Sequence, residues 1–315
     1  MDRTEGGTFF RGAGLVWKWQ RLLWWIFAMS LIFAHLATQG MVERLGQALN
    51  HSDASQFFVH GFNVAQLGAL AAQPDSPLTS DMPAAAHYSV VFMIFMLFLT
   101  GGILATYIRD ERLRTGAFFE ACGYHFWRFF RLLIYMLIVF LPLAGLGMGA
   151  GAMYNRIDER SISPFPAVHF FEASAIVLLF LLVVIRIWFD MAQVIAVADD
   201  EKRMHKALRR AFGLLWHNFF SLLWLYIRVS IIAWIFIGLG LALWMLGLKP
   251  ESNIAAFLLS QLIILIWIAT RLWQRASESL WYRRHAASSV PEPVWTPAPV
   301  MAPVAVAEPY VPPTT

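Results

Sequence analysis

A pair of charged residues inside an apolar stretch is the strongest candidate for chemistry in this sequence. Arg186 and Asp190 are four residues apart, so on a helix they share a face and can form an ion pair. Gln193 falls on nearly the same stripe, and Arg228 stands in a later apolar run. Because charge inside a membrane span is costly, these four residues are candidates for a pathway or gate. The alternative is structural: Asp190 and Arg228 lie at the membrane interface, and Arg186 extends its guanidinium to water.

Two further polar residues, His169 and Glu172, precede the same stretch, and His35 and His87 are expected at the same membrane level. Together they could form a metal or proton site, but we favour separate solvated roles. The sequence has no zinc-type Cys or His spacing, no Walker A loop and no dinucleotide fingerprint. We therefore predict no catalytic residue, no metal and no cofactor, and we do not expect an enzyme.

The elements that must position these residues are six long apolar stretches. The chain of 315 residues is 59% hydrophobic and 14% charged, whereas soluble domains are about 25% charged. A spanning helix needs about 20 mostly apolar residues. The candidates are residues 22–38, 88–108, 132–153, 173–192, 229–248 (or from about 219) and 254–270. The sequence thus predicts an all-α, polytopic transmembrane helical bundle of six spans within residues 1–285.

The basic residues predict the orientation of this bundle. Lys and Arg accumulate in cytoplasmic segments of membrane proteins. Eighteen of the 24 basic residues fall before the first span, after the sixth, or between spans two and three and spans four and five, against four in the remaining loops. We therefore expect a multi-pass protein of the cell (inner) membrane with both termini in the cytoplasm.

Three aromatic and basic segments resemble one another, at residues 14–23, 123–133 and 213–223, and each leads into an odd-numbered span. Asp110 aligns with Asp200, and Gly123 with Gly213, at a constant offset of 90. We interpret the chain as three copies of one unit: a cytoplasmic interfacial helix, a span, an outer loop and a returning span.

Residues 111–126 precede span three, and residues 201–216 precede span five. Both stretches are predicted to be amphipathic helices on the inner leaflet. The alternative is that they extend the following span. At the offset of 90, the polar stripe of span four corresponds to Met96, Thr100 and Ile103, so it belongs to one copy only.

Two segments lie outside the predicted spans. Residues 39–87 should form a long outer loop, with helical apolar spacing at 41–49 and 56–72. From residue 286 to 315 the chain is rich in Pro, which predicts an extended, disordered cytoplasmic tail.

The aromatic and basic segments, such as Phe126-Trp127-Arg128-Phe129-Phe130 and Trp216-His217-Asn218-Phe219-Phe220, carry a resemblance that covers about Gly14 to Arg275. They are similar to six-helix bacterial inner-membrane proteins of unknown function, in particular to the membrane domain attached to some glycerophosphodiester phosphodiesterases. The resemblance implies a six-helix membrane domain. It implies no phosphodiesterase activity, because nothing here corresponds to the catalytic domain of those proteins.

Three functions remain open at this point. We favour a membrane scaffold or accessory protein that organises lipid or partner proteins. The alternatives are a transporter or permease that uses the polar cluster on span four, and a lipid-modifying membrane enzyme. The expected partners are membrane lipids and either a protein partner or a second copy of the chain, and no nucleic acid.

Overall fold

The computed structural model describes residues 3–50, 68, 82–111, 113–161, 163, 165–247 and 253–286. These residues form eight helices and no strand. The helices are α1 (Arg3–Lys18), α2 (Gln20–Asn50), α3 (Met82–Arg109), α4 (Thr115–Arg160), α5 (Phe165–Ala198), α6 (Met204–His217), α7 (Phe219–Gly247) and α8 (Asn253–Ala286).

Six of the helices, α2, α3, α4, α5, α7 and α8, are long and apolar enough to cross a membrane. The six predicted spans lie within these helices, except for residue 248, which is outside the described residues, so the all-α, six-span class is confirmed. Large apolar side chains such as Leu141, Ile176 and Phe257 are exposed on the helix surfaces. Such exposure is expected when lipid is the solvent, because lipid tails are as apolar as these side chains.

The observed helices are longer than the predicted spans at several ends. α2 continues to Asn50 and α3 begins at Met82, so the segment between them is shorter than the predicted loop 39–87. The predicted helix at 41–49 is confirmed as the end of α2. α7 begins at Phe219, as the earlier of the two predicted starts had it. Ala286, which was assigned to the tail, ends α8. Residues 287–315 and, except for 68, the stretch 56–72 lie outside the described residues.

The prediction of a separate interfacial helix at 111–126 is wrong. α4 runs without interruption from Thr115 to Arg160, which is 46 residues and about 69 Å. α1 and α6 are separate from the helices that follow them. Before α7, the Asn218 side chain donates to the carbonyl of Leu214, and this local bond competes with regular helix geometry. At the aligned position α4 carries Arg128, which has higher helix propensity than Asn.

Two antiparallel helical hairpins have closely related turns. Asp110 follows α3 with φ 52°, and Asp200 follows α5 with φ 49°. This left-handed region is tolerated by Asp better than by most residues, because its short polar side chain bonds locally. In the α3–α4 hairpin the backbones approach closely: a Cβ on Gly102 would lie 2.6 Å from Cys122 Sγ. Small residues permit such contact between membrane helices.

One end of the bundle holds most of the described ion pairs, and we call it the polar end. It contains the turns after α3 and α5, the beginning of α4, all of α1 and α6, and the last turns of α8. Asp199 accepts from Tyr282 at 2.8 Å and pairs with Arg210 at 2.7 Å. α1 packs along the end of α8, where Trp273 Nε1 donates to the Phe9 carbonyl at 2.8 Å.

Candidate functional site

A buried carboxylate, Asp190, joins three helices near the polar end. Its Oδ1 lies 2.9 Å from Nη2 of Arg275 on α8. Its Oδ2 accepts a hydrogen bond of 2.9 Å from the Tyr226 hydroxyl on α7 and lies 3.6 Å from Nε of Arg186 on α5. Asp190 is therefore bound from its own helix and from two others.

Arg275 also approaches a second buried carboxylate, Glu278. Its Nη1 lies 3.8 Å from Glu278 Oε2, and Gln274 Nε2 donates to Glu278 Oε1 at 3.0 Å. At 3.8 Å the Arg275–Glu278 contact is an ion pair and not a hydrogen bond. Arg275 Nη1 and Glu278 Oε2 each lack a hydrogen-bond partner among the described residues. We call Arg186, Asp190, Tyr226, Gln274, Arg275 and Glu278 the Asp190 cluster.

Helical spacing explains how the chain assembles this cluster. Arg186 and Asp190 are one turn apart on α5, and Arg275 and Glu278 are about one turn apart on α8. α8 presents its two residues because it continues well past residue 270, where the predicted sixth span ended. The Arg186 guanidinium also lies 5.6 Å from the centre of the Tyr226 ring, which adds a cation–π contact.

The structure brings some of the predicted site residues together and leaves others apart. Arg186 and Asp190 pair as their spacing predicted. Gln193 is one turn further along α5, and its buried Oε1 has no partner among the described residues. Arg228 does not join the cluster: its guanidinium lies over the Trp224 ring, 4.8 Å from the centroid. It is two residues from Tyr226, so it points to a different side of α7.

Four members of the cluster, Tyr226, Gln274, Arg275 and Glu278, were not predicted from the sequence. Arg275 had been counted among the cytoplasmic basic residues. One signal was present: Gln274, Arg275 and Glu278 have helical spacing directly after an apolar span. A helix that continued past residue 270 would place all three on adjacent positions of one surface.

The other polar candidates, His169, Glu172 and His35, do not converge into a larger site. His169 Nδ1 lies 3.4 Å from Glu172 Oε2, and both side chains are exposed. His35 contacts Gln39 on its own helix at 3.0 Å. Within the described ranges, no group of three or more His, Cys, Asp or Glu residues is arranged to hold a metal ion.

Two ion pairs at the polar end occupy corresponding places in the predicted repeat. Lys18, in the first aromatic and basic segment, pairs with Asp110 at 2.7 Å. Arg128, in the second segment, pairs with Asp200 at 2.6 Å, and Tyr124 donates to the same carboxylate at 3.0 Å. Partial burial alone would raise the pKa of Asp200, but the hydrogen bonds from Arg128 and Tyr124 and the Arg128 charge hold the pKa below its ordinary value of 3.8.

Each of the three aromatic and basic segments exposes a tryptophan. Trp17 is 78% exposed, Trp127 65% and Trp216 75%. The rings are on α1, α4 and α6, at the polar end. Exposed tryptophan is characteristic of the level where lipid headgroups meet the hydrocarbon.

A cavity of about 520 Å³ lies between α2, α3 and the beginning of α4. No residue of the Asp190 cluster lines it. The buried polar groups and this cavity therefore belong to different parts of the bundle.

No family model, no curated protein and no solved structure matches this chain.

Proposed function

We propose that this chain is a membrane scaffold or accessory protein that organises lipid around the polar end of its bundle. The observation that carries the proposal is the set of three exposed tryptophans, one in each aromatic and basic segment. Their rings suit the headgroup region, and the neighbouring Arg and Lys side chains attract anionic lipid. In this proposal the polar end faces the cytoplasm of a bacterial cell, because it carries most of the basic residues.

The Asp190 cluster has a structural role in this proposal. Both oxygens of Asp190 have partners, and these partners come from α5, α7 and α8. A buried carboxylate bound from three helices fixes their relative positions, because each helix that moves away leaves a buried charge with fewer partners. The scaffold would thereby hold its lipid-facing aromatic residues in a constant arrangement.

A transporter is the second candidate, and a specific observation favours it. Gln193 Oε1, Arg275 Nη1 and Glu278 Oε2 are buried and have no hydrogen-bond partner among the described residues. Unused hydrogen-bonding capacity beside a charged cluster is what a polar substrate would occupy. The proposed role of the cluster would then be a gate and not a fixed connection.

The scaffold proposal is tested by measuring which lipids surround the protein. The full chain is reconstituted in bilayers of phosphatidylglycerol and phosphatidylcholine, and energy transfer from labelled protein to each labelled lipid is compared. We expect anionic lipid to be enriched near the protein. Replacement of Trp17, Trp127 and Trp216 by Ala should reduce this enrichment, because the rings hold the neighbouring Arg and Lys side chains at the headgroup level.

Trp234→Ala is the matched control, because Trp234 is equally exposed but lies within the middle of α7. It should leave the enrichment unchanged. Equal transfer to both lipids, or an equal loss in the control, would refute the scaffold proposal.

The transporter is tested with Gln193→Cys in a chain whose single cysteine has been replaced, Cys122→Ala. Rapid reaction of the new thiol with a membrane-impermeant reagent would support a water-filled pathway, and no reaction would oppose it.

A further inference from the structure

The cavity between α2, α3 and the beginning of α4 has the size of a ligand site. Its volume of about 520 Å³ falls within the range of roughly 300–1,000 Å³ that is usual for small-molecule pockets. It is separate from the Asp190 cluster and from the exposed tryptophans on which the proposed function rests. Its occupant can therefore be inferred independently of that function.

Two apolar stripes at helical spacing form the long walls of this cavity. Leu22, Trp25 and Met29 line it from α2. The facing residues on α3 are Phe95, Leu99 and Ile103. From Gln20 to Met29, both on α2, the lining extends about 14 Å along the helix axis. This is about half of the roughly 30 Å hydrocarbon thickness of a bilayer, so the stripe is as long as one leaflet is deep.

The end of the cavity nearest the polar end is positively charged. Lys18 and Arg21 line it there, and no acidic residue is among the lining residues. Asp110 compensates the charge of Lys18 at 2.7 Å. Arg21 is exposed and belongs to none of the ion pairs within the described ranges. A cation without an ion-pair partner in the described part of the chain, at the mouth of an apolar cavity, favours an anionic group at that position.

The first turn of α4 adds backbone donors at the same place. Leu113 and Thr115 line the cavity on either side of Arg114, the N-cap residue. Arg114 makes no side-chain cap hydrogen bond. The first N–H groups of this long helix thus remain available, and the positive end of its dipole favours a phosphate.

We propose that the cavity binds one phospholipid with a net negative headgroup. One of its two acyl chains lies between the apolar stripes of α2 and α3, and the headgroup phosphate lies between Arg21 and the first turn of α4. A zwitterionic lipid would satisfy the apolar walls but not the surplus positive charge. A free phosphate would satisfy the charge but would leave the apolar walls without contacts.

The proposal is tested by native mass spectrometry of the full chain in detergent. The protein is titrated with phosphatidylglycerol or with phosphatidylcholine of the same acyl chains. We expect one phosphatidylglycerol to bind about tenfold more tightly than phosphatidylcholine, and Arg21→Gln to remove most of that difference. Arg131→Gln is the control, because Arg131 aligns with Arg21 in the second segment, is exposed and does not line the cavity.

A second pair of variants tests the apolar half of the site. Met29→Trp fills the cavity and should weaken both lipids, whereas Met148→Trp adds the same ring to an exposed position and should weaken neither. Equal binding of the two lipids to the unchanged protein, or an equal loss in Arg21→Gln and Arg131→Gln, would overturn the proposal. Displacement of the lipid by inorganic phosphate alone would also overturn it. Arg21 and Arg131 are exposed, so their comparison decides the result even if Met29→Trp fails to fold.

Discussion

The α3–α4 hairpin and the α5–α6 hairpin are related at a constant offset in the sequence but stabilise the bundle in different ways. On α5, the buried Asp190 forms polar contacts with Arg275 on α8 and Tyr226 on α7, and Arg186 pairs with it on the same helix. At the corresponding positions α3 has Met96 and Thr100, and Thr100 donates within its own helix, to the Met96 carbonyl. α3 instead packs closely on α4 through Gly101 and Gly102 and lines a cavity with α2.

The two hairpins therefore use two different kinds of helix contact. Buried charges require partners at defined positions. Few substitutions at the Asp190 cluster would therefore keep α5, α7 and α8 in their observed arrangement. Apolar packing between small residues depends on shape and tolerates neighbouring space. The α3–α4 hairpin can therefore border a cavity large enough for a lipid chain. The buried charges around α5 leave little freedom for such a cavity.

The largest expected effect is at Asp190. Asp190→Leu removes the shared partner of Arg275, Arg186 and Tyr226, and leaving a buried charge with reduced compensation costs about 3–5 kcal/mol. Unfolding of the purified protein in mixed micelles with increasing SDS measures the free energy of unfolding. Thr100→Leu, at the corresponding position of α3, should change it by less than about 1 kcal/mol. Similar losses in both variants would remove the distinction between the two regions.

An intermediate effect is expected at the close contact of α3 with α4. In Gly102→Val, the new side chain would collide with Cys122 and Phe118, and such overpacking costs about 1–3 kcal/mol. Thermal unfolding in detergent measures the change. Gly123→Val on α4 is the control, because a Cβ at Gly123 meets no atom within 4 Å. A Gly102→Val protein that is as stable as the unchanged chain would show that the hairpin is packed more loosely than described.

The smallest expected effect is the difference in stability between losing the Arg128–Asp200 ion pair and losing the Lys18–Asp110 ion pair. Arg128 is 9% exposed and Lys18 51% exposed, so Asp200→Asn should destabilise more than Asp110→Asn, by about 1 kcal/mol at pH 7. Because the folded-state pKa of Asp200 is depressed, its contribution is present above the unfolded pKa and is lost as pH falls through the folded pKa. The difference in thermal stability should stay constant between pH 7 and about pH 5 and shrink below the ordinary pKa of 3.8. A constant difference down to pH 3 would contradict the Arg128–Asp200 assignment.

The six spans could be predicted because a minimum length and an apolar composition suffice to define them. The helix ends could not, because packing at the polar end extends α4 and α8 into segments that are polar by composition. The contact of Arg186 with Asp190 followed from local spacing. The contact of Asp190 with Arg275 did not, since it joins helices that are distant in sequence, and single-sequence patterns carry no information on which helices are neighbours. Arg228 lies outside the cluster for the same reason: its place within an apolar run is visible in the sequence, but the direction in which it points is not.

The continuous α4 has a mechanical consequence. At about 69 Å it exceeds the roughly 40–45 Å thickness of a bilayer with its headgroups, so α4 either tilts, bends near Pro142 or projects from the lipid at one or both ends. When the surrounding bilayer thins and α4 tilts further, a projecting end is displaced sideways by more than the part inside the membrane. Where the projecting end is the one that begins at Thr115, the separation of Arg128 from Asp200 would respond to bilayer thickness, and spin labels beside the two residues would record the displacement.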